Sequence, residues 1–183
     1  MSLIVEKTPL EGLRIIRPKI FRDPRGFFVE SYNRSVFAAA GITTEFVQDN
    51  HSRSSRGTLR GLHYQSTPGQ AKLIRCTSGT IWDVVVDIRP KSPTFGNNFG
   101  MELRPEDTAM LFIPIGFAHG FVVLSETADV QYKCSSVYNA ATESGIRWND
   151  PELAVPWPLQ GLDPLLSERD QKAPTFAEYK AKI

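Results

Sequence analysis

Between Ala71 and Ser135 the chain breaks into short runs rich in β-branched and aromatic residues, each closed by turn formers. The runs are Ala71 to Cys76, Thr80 to Arg89, Gly100 to Leu103, Ala109 to Pro114, Gly120 to Leu124 and Ala128 to Ser135. Ser78-Gly79, Pro90 to Pro93, Arg104 to Asp107 and Ser125 to Thr127 separate them. Many short strands at regular spacing fold as a β-sandwich or barrel. Leu13 to Ile16, Gly26 to Glu30 and, more weakly, Phe46 to Asn50 extend the pattern upstream. The expected fold class is therefore all-β.

Helix signals are few. Asn33 is placed to cap a short helix through Ala40, ended by Gly41. Thr175-Phe176-Ala177-Glu178 reads as a capping box that opens a last helix. The proline-rich stretch from Pro151 to Pro164 reads as an extended connection, because proline removes donors and fixes the backbone. With 183 residues and no repeats or low-complexity tract, the expectation is a single domain over residues 1–183 with a C-terminal helical tail.

Composition narrows the function classes. The hydrophobic fraction is 41%, the charged fraction 22% and the net charge +1, with no long basic run, so nucleic acid is not an expected partner. The apolar stretches are too short to span a bilayer, and the N-terminus lacks the layout of a signal peptide, so no membrane association is expected. Cys76 and Cys134 both fall in apolar strand-like runs and read as buried free thiols. A cytoplasmic location is the expectation.

Period-two patterning says which side chains share a face. Lys72 points with Ile74 and Cys76, and a lysine on an apolar face is costly unless paired or functional. Tyr132 points with Val130 and Cys134, while Asp129, Gln131 and Lys133 face the other way. Asp83 shares a face with Ile81 and Val85 and needs a partner, for which His119 is the candidate.

One of only three histidines lies in Thr58-Leu59-Arg60-Gly61-Leu62-His63-Tyr64-Gln65. Imidazole titrates near neutrality, so His63 can act as acid or base, and Arg60 can hold a carboxylate or phosphate with a two-pronged donor. In a regular strand these two would face opposite ways. If both serve one site, the backbone must be irregular there, and Gly61 would permit a bulge.

Five segments together carry a resemblance. They are Phe21-Arg22-Asp23-Pro24-Arg25-Gly26-Phe27-Phe28-Val29-Glu30, Gln48-Asp49-Asn50-His51-Ser52, Gly57 to Gln65, Pro114 to Phe121 and Leu166-Ser167-Glu168-Arg169-Asp170. From about Gly12 to Pro174 the chain resembles the dTDP-4-dehydrorhamnose 3,5-epimerases. The resemblance implies a cupin-type jelly-roll β-sandwich in a strand-exchanged homodimer. It implies conversion of dTDP-4-dehydro-6-deoxy-D-glucose to dTDP-4-dehydro-L-rhamnose, with a dTDP-sugar as the small-molecule partner.

That chemistry needs a base beside the ketone, an oxyanion partner, and an acid on the opposite face of the ring. By resemblance His63 is the base, Asp170 its orienting partner, Lys72 the enolate partner and Tyr132 the acid. Asp170 also reads as a carboxylate at a helix start after Ser167, and Tyr132 as a core tyrosine. The resemblance puts Arg25, Arg60 and His119 around the diphosphate and sugar, and Glu30, Gln48 and Asn50 near the thymidine. It adds Tyr138 beside the substrate, Glu143, and Arg169 in place of an expected lysine. Arg25, Phe28 and Glu30 are candidates for reaching a partner subunit's site. Asp83 supports His119.

Metal cupins cluster two histidines and a glutamate in one motif; His63 has no such neighbour, so no metal is expected. No glycine-rich nucleotide loop appears, so no NAD is implied, and the expected cofactors are none. Two rivals remain at this level: a one-carbon epimerase of the same family, and a cupin that binds a nucleotide sugar without turning it over.

Overall fold

The computed structural model describes residues 3–183. Two antiparallel sheets face each other. The first contains β1 (Leu3–Lys7), β2 (Arg14–Pro18), β5 (Gln48–Ser55), β7 (Lys72–Ser78), β10 (Met110–Ile113) and β12 (Thr127–Cys134), in the order β1-β2-β10-β7-β12-β5. The second contains β6 (Leu59–Gln65), β8 (Ile81–Asp87), β9 (Asn98–Leu103), β11 (Phe117–Val123) and β13 (Glu143–Gly145), in the order β13-β6-β11-β8-β9. A separate hairpin pairs β3 (Ile20–Asp23) with β4 (Gly26–Val29). The helices are α1 (Arg34–Ala39), α2 (Glu168–Gln171) and α3 (Phe176–Lys180). This is a β-sandwich, one of the two forms that the strand pattern predicts, and the jelly roll that the resemblance implies.

Alternation explains the layers. Ile74 and Cys76 of β7, Ile81 and Val85 of β8, Phe121 and Val123 of β11 and Val130 of β12 all point between the sheets and form the central core. Burying each large apolar side chain contributes roughly 1.5–3 kcal/mol. The intervening residues of the second sheet, Val84, Val86 and Ala118, pack outward under Leu153, Phe176 and Tyr179 from the C-terminal segment. On the first sheet's outer side, Phe37 of α1 packs with Ile16, Leu73 and Met110.

The helix signals hold. Asn33 accepts from the backbone N–H groups of Ser35 and Val36, and Thr175 and Glu178 form the capping box of α3. Both cysteines are free and buried. Burial pushes the Cys76 thiol up to about 11. Among the described residues no helix is long and apolar enough to cross a membrane.

Several boundaries differ from expectation. The strand expected from Phe46 to Asn50 runs instead from Gln48 to Ser55, and its inner face is Gln48, Asn50, Ser52 and Ser54. With polar residues on both faces it has no apolar alternation to read. The strand expected from Gly120 begins at Phe117, so His119 lies in mid-strand. β1, β3 and β13 are additional elements, and α2 is the short helix that starts after Ser167.

Candidate active site

Residues from both sheets meet at one end of the sandwich. β6 supplies Arg60 and His63, and both face inward because the strand is bulged. His63 pairs with His119 and Arg60 with Phe121, so three residues along β6 match two along β11. Gly61 sits at the irregularity with φ +128°, and a Cβ there would lie 2.5 Å from Gly120 Cα and 2.8 Å from the His119 carbonyl. Only glycine meets both demands.

His63 Nε2 is 2.6 Å from Asp170 Oδ1. Asp170 lies in the first turn of α2, where its backbone N–H donates to the Ser167 side chain. The two readings of Asp170, helix-start residue and imidazole partner, are thus both true. Burial works to raise the Asp170 carboxyl, but His63, the Ser167 hydroxyl and the Gly61 amide hold it below the usual carboxylate range. An ionised carboxylate only accepts, so Nε2–H donates, and Nδ1 is the nitrogen left to exchange a proton with a ligand.

A second pair lies beside the first. His119 Nε2 is 2.9 Å from Asp83 Oδ2, as the face pattern predicts. Burial drives the His119 pKa down, against the opposing pull of Asp83, so this imidazole is neutral at pH 7.

The facing sheet supplies Lys72, Tyr132 and Cys134 on its inner side, with Cys134 paired directly to Lys72. Burial lowers the Lys72 pKa, while Cys134, Glu143 and Asp83 favour its charged form. Among the described residues Lys72 has no salt bridge, so its amine is available to an anion in the cavity. Burial raises the Tyr132 phenol. Gln48 and Asn50 lie next to Tyr132 on β5.

The cavity mouth carries Arg169, 2.5 Å from Glu143. Burial works to raise the Glu143 carboxyl, but Arg169 and the Tyr138 hydroxyl overcome it and lower its pKa. Tyr138 is exposed. An open cleft of about 430 Å³ is lined by Arg60, His63, Leu165, Leu166, Arg169 and Asp170. Arg60 donates through Nε to Ser54 Oγ at 3.0 Å, and among the described residues its terminal nitrogens have no partner, which suits them to an anion.

Three candidates are not brought to this cavity. Arg25 and Phe28 are exposed on the β3–β4 hairpin, Arg25 bound to Asp23, and Glu30 follows the hairpin and accepts from Asn33. Pattern reading also missed Ser54. Ser54 shares a face with Asn50, a signal visible only once β5 is extended past Asn50. Among the described residues no group of three or more His, Cys, Asp or Glu is placed to hold a metal ion.

A carboxylate-backed imidazole on one inner sheet face, and a buried amine and a phenol on the facing one, are the groups that a proton-transferring isomerase acting beside a carbonyl requires. The chain belongs to the dTDP-4-dehydrorhamnose 3,5-epimerase family, whose profile matches residues 7–178. It is 53% identical over 165 residues to the dTDP-4-dehydrorhamnose 3,5-epimerase of Pseudomonas aeruginosa, covering 90% of this chain and 91% of that protein. It superposes with a TM-score of 0.95 and 46% identity on the Legionella pneumophila dTDP-6-deoxy-D-glucose-3,5-epimerase in complex with dTDP-4-keto-L-rhamnose, covering 99% and 96% of the two chains. A 3'-monoepimerase from Streptomyces bikiniensis in complex with dTDP-quinovose matches with a TM-score of 0.89 and 36% identity, over 100% and 90%.

Proposed function

We propose that this chain converts dTDP-4-dehydro-6-deoxy-D-glucose to dTDP-4-dehydro-L-rhamnose by inverting C3 and C5. The observation that carries the reading is the 2.6 Å bond from His63 to a buried, ionised Asp170, inside a cavity whose facing wall holds Lys72 and Tyr132. The Nδ1 lone pair of His63 takes the proton beside the C4 ketone, and Asp170 stabilises the imidazolium. Lys72 balances the enolate oxygen. Tyr132 gives a proton to the opposite face, which inverts the carbon. Arg60 and His119 hold the diphosphate and sugar, with Arg169, Glu143 and Tyr138 at the mouth and Gln48 and Asn50 along the wall. Neither a metal nor a nicotinamide is needed for these steps.

The active form in this reading is a homodimer. Phe21, Phe27 and Phe28 are exposed on the hairpin, which supports its exchange with a partner, and Arg25, Phe28 and Glu30 then serve the partner's cavity. Buried free thiols support a reducing compartment, the cytoplasm. Proton NMR of the substrate in deuterated water tests the reaction. Deuterium should enter at both C3 and C5, with the rate unchanged by exhaustive chelation. Exchange at one carbon selects the monoepimerase reading that the Streptomyces bikiniensis neighbour favours; none at either removes the enzyme reading.

A further inference from the structure

By resemblance Gln48 and Asn50 are thymidine-side residues, yet their hydrogen bonds run inward to Cys134, which shares the inner face of β12 with Tyr132. A backbone N–H can only donate, which gives the chain of amides a fixed sense. The Tyr138 N–H lies 2.8 Å from Gln48 Oε1, so the Gln48 amide is turned with its nitrogen away from Tyr138. Gln48 Nε2 then donates to Asn50 Oδ1 at 3.1 Å. Asn50 is fixed in turn, with Nδ2 directed at the inner face of β12. It donates there to Cys134 Sγ at 3.5 Å, and the residue paired directly with Asn50 across the strands is Tyr132. Burial raises the Tyr132 phenol; Arg60 and, to a smaller extent, the Asn50 amide oppose that rise.

We propose that Asn50 is a positioning residue for the Tyr132 phenol, presenting an N–H to its oxygen, with Gln48 setting the sense of that donor. The proposal rests on the reading of Tyr132 as the acid. When the phenol protonates the enolate carbon, its O–H bond breaks, a C–H bond forms, and the electron pair stays on the phenolate oxygen. A preorganised donor at that oxygen stabilises the charge as it develops. Water restores the proton afterwards. An anion at position 50 would offer only acceptors and oppose the same charge. The chain begins at Tyr138, so the loop at the cavity mouth is linked to the acid through two amides.

The test uses full-length Asn50→Asp and Gln48→Glu proteins. Inversion and deuterium exchange are followed by NMR, dTDP binding by calorimetry, and the Tyr132 phenol by carbon-labelled tyrosine NMR assigned with Tyr132→Phe. Asn50→Asp should reduce inversion at least about tenfold more than exchange and raise the Tyr132 titration midpoint by about one pH unit. Gln48→Glu should shift both in the same direction by less. Inversion and exchange falling in step, or a loss of dTDP affinity with the Tyr132 titration unmoved, would overturn the proposal. If Tyr132→Phe itself inverts at the wild-type rate, the reading of Tyr132 as the acid fails and takes this proposal with it. If Tyr132→Phe loses inversion while Asn50→Asp keeps it, only the positioning role falls.

Discussion

His63–Asp170 and His119–Asp83 are the same two side chains bonded in two settings, on residues that face each other across β6 and β11. In the first pair 26% of the histidine side chain is exposed; in the second, 9%. Asp170 comes from a helix 107 residues further along the chain and has His63, Ser167 and Gly61 as partners. Asp83 comes from the adjacent strand, and its Oδ1 has no partner among the described residues. A carboxylate behind an imidazole is therefore not enough to make a base. The imidazole must also reach the cavity and keep a pKa that lets it hold a proton. His63 is the more exposed of the two. Burial drives the His119 pKa down, which suits His119 to contacting the ligand rather than to taking its proton.

Removing the reachable imidazole should have the largest effect. His63→Ala should reduce exchange at both carbons by about a hundred- to ten-thousandfold while dTDP still binds; retention of more than about a tenth of wild-type exchange would put the base elsewhere. Asp170→Asn keeps the shape but not the charge, and exchange measured the same way should fall about tenfold or more. An unimpaired variant removes Asp170 from the mechanism.

Arg60→Ala tests the anion site between the pairs and the solvent. A hydrogen bond to a charged group contributes roughly 1.5–3 kcal/mol, so the Kd for dTDP should rise about ten- to a hundredfold by calorimetry. Equal affinity reassigns Arg60 to holding Ser54.

The smallest effect belongs to the buried pair and appears in stability. Burial holds His119 below its ordinary pKa, so the unfolded chain binds a proton there more readily than the folded one. Stability linked to His119 is full above about pH 6.5 and is lost as the pH falls from there toward the depressed folded value. Wild-type protein should lose more urea resistance between pH 7.5 and pH 5.5 than His119→Gln does. An equal loss in both would mean that His119 is not buried neutral.

Much of this contrast is legible in the chain. Alternation alone puts Lys72, Tyr132 and Asp83 on inward faces, because Tyr132 and Asp83 have apolar neighbours at i±2 and Lys72 is followed by Ile74 and Cys76 on its own face. The conflict between Arg60 and His63 in a regular strand points to the bulge at Gly61. What alternation cannot reach is polar on both sides. β5 lines the cavity with Gln48, Asn50, Ser52 and Ser54 and shows Asp49, His51 and Arg53 to solvent, so it has no period to find. α2 has four residues and owes its place to Ser167 and to bonds between Leu165 and β6, not to an amphipathic pattern. Asp170, Glu143, Arg169 and Tyr138 became candidates only through family resemblance, since their partners lie far off in sequence.

Solvent exchange catalysed by His63→Gln and His119→Gln, compared at saturating substrate in deuterated water, tests the central claim most directly. Saturation removes differences in binding, and both substitutions put the same uncharged amide in place of an imidazole. The account predicts that His63→Gln exchanges neither C3 nor C5 above about a hundredth of the wild-type rate, while His119→Gln keeps more than about a tenth. The reverse order, or equal loss in both with dTDP affinity intact, would contradict it.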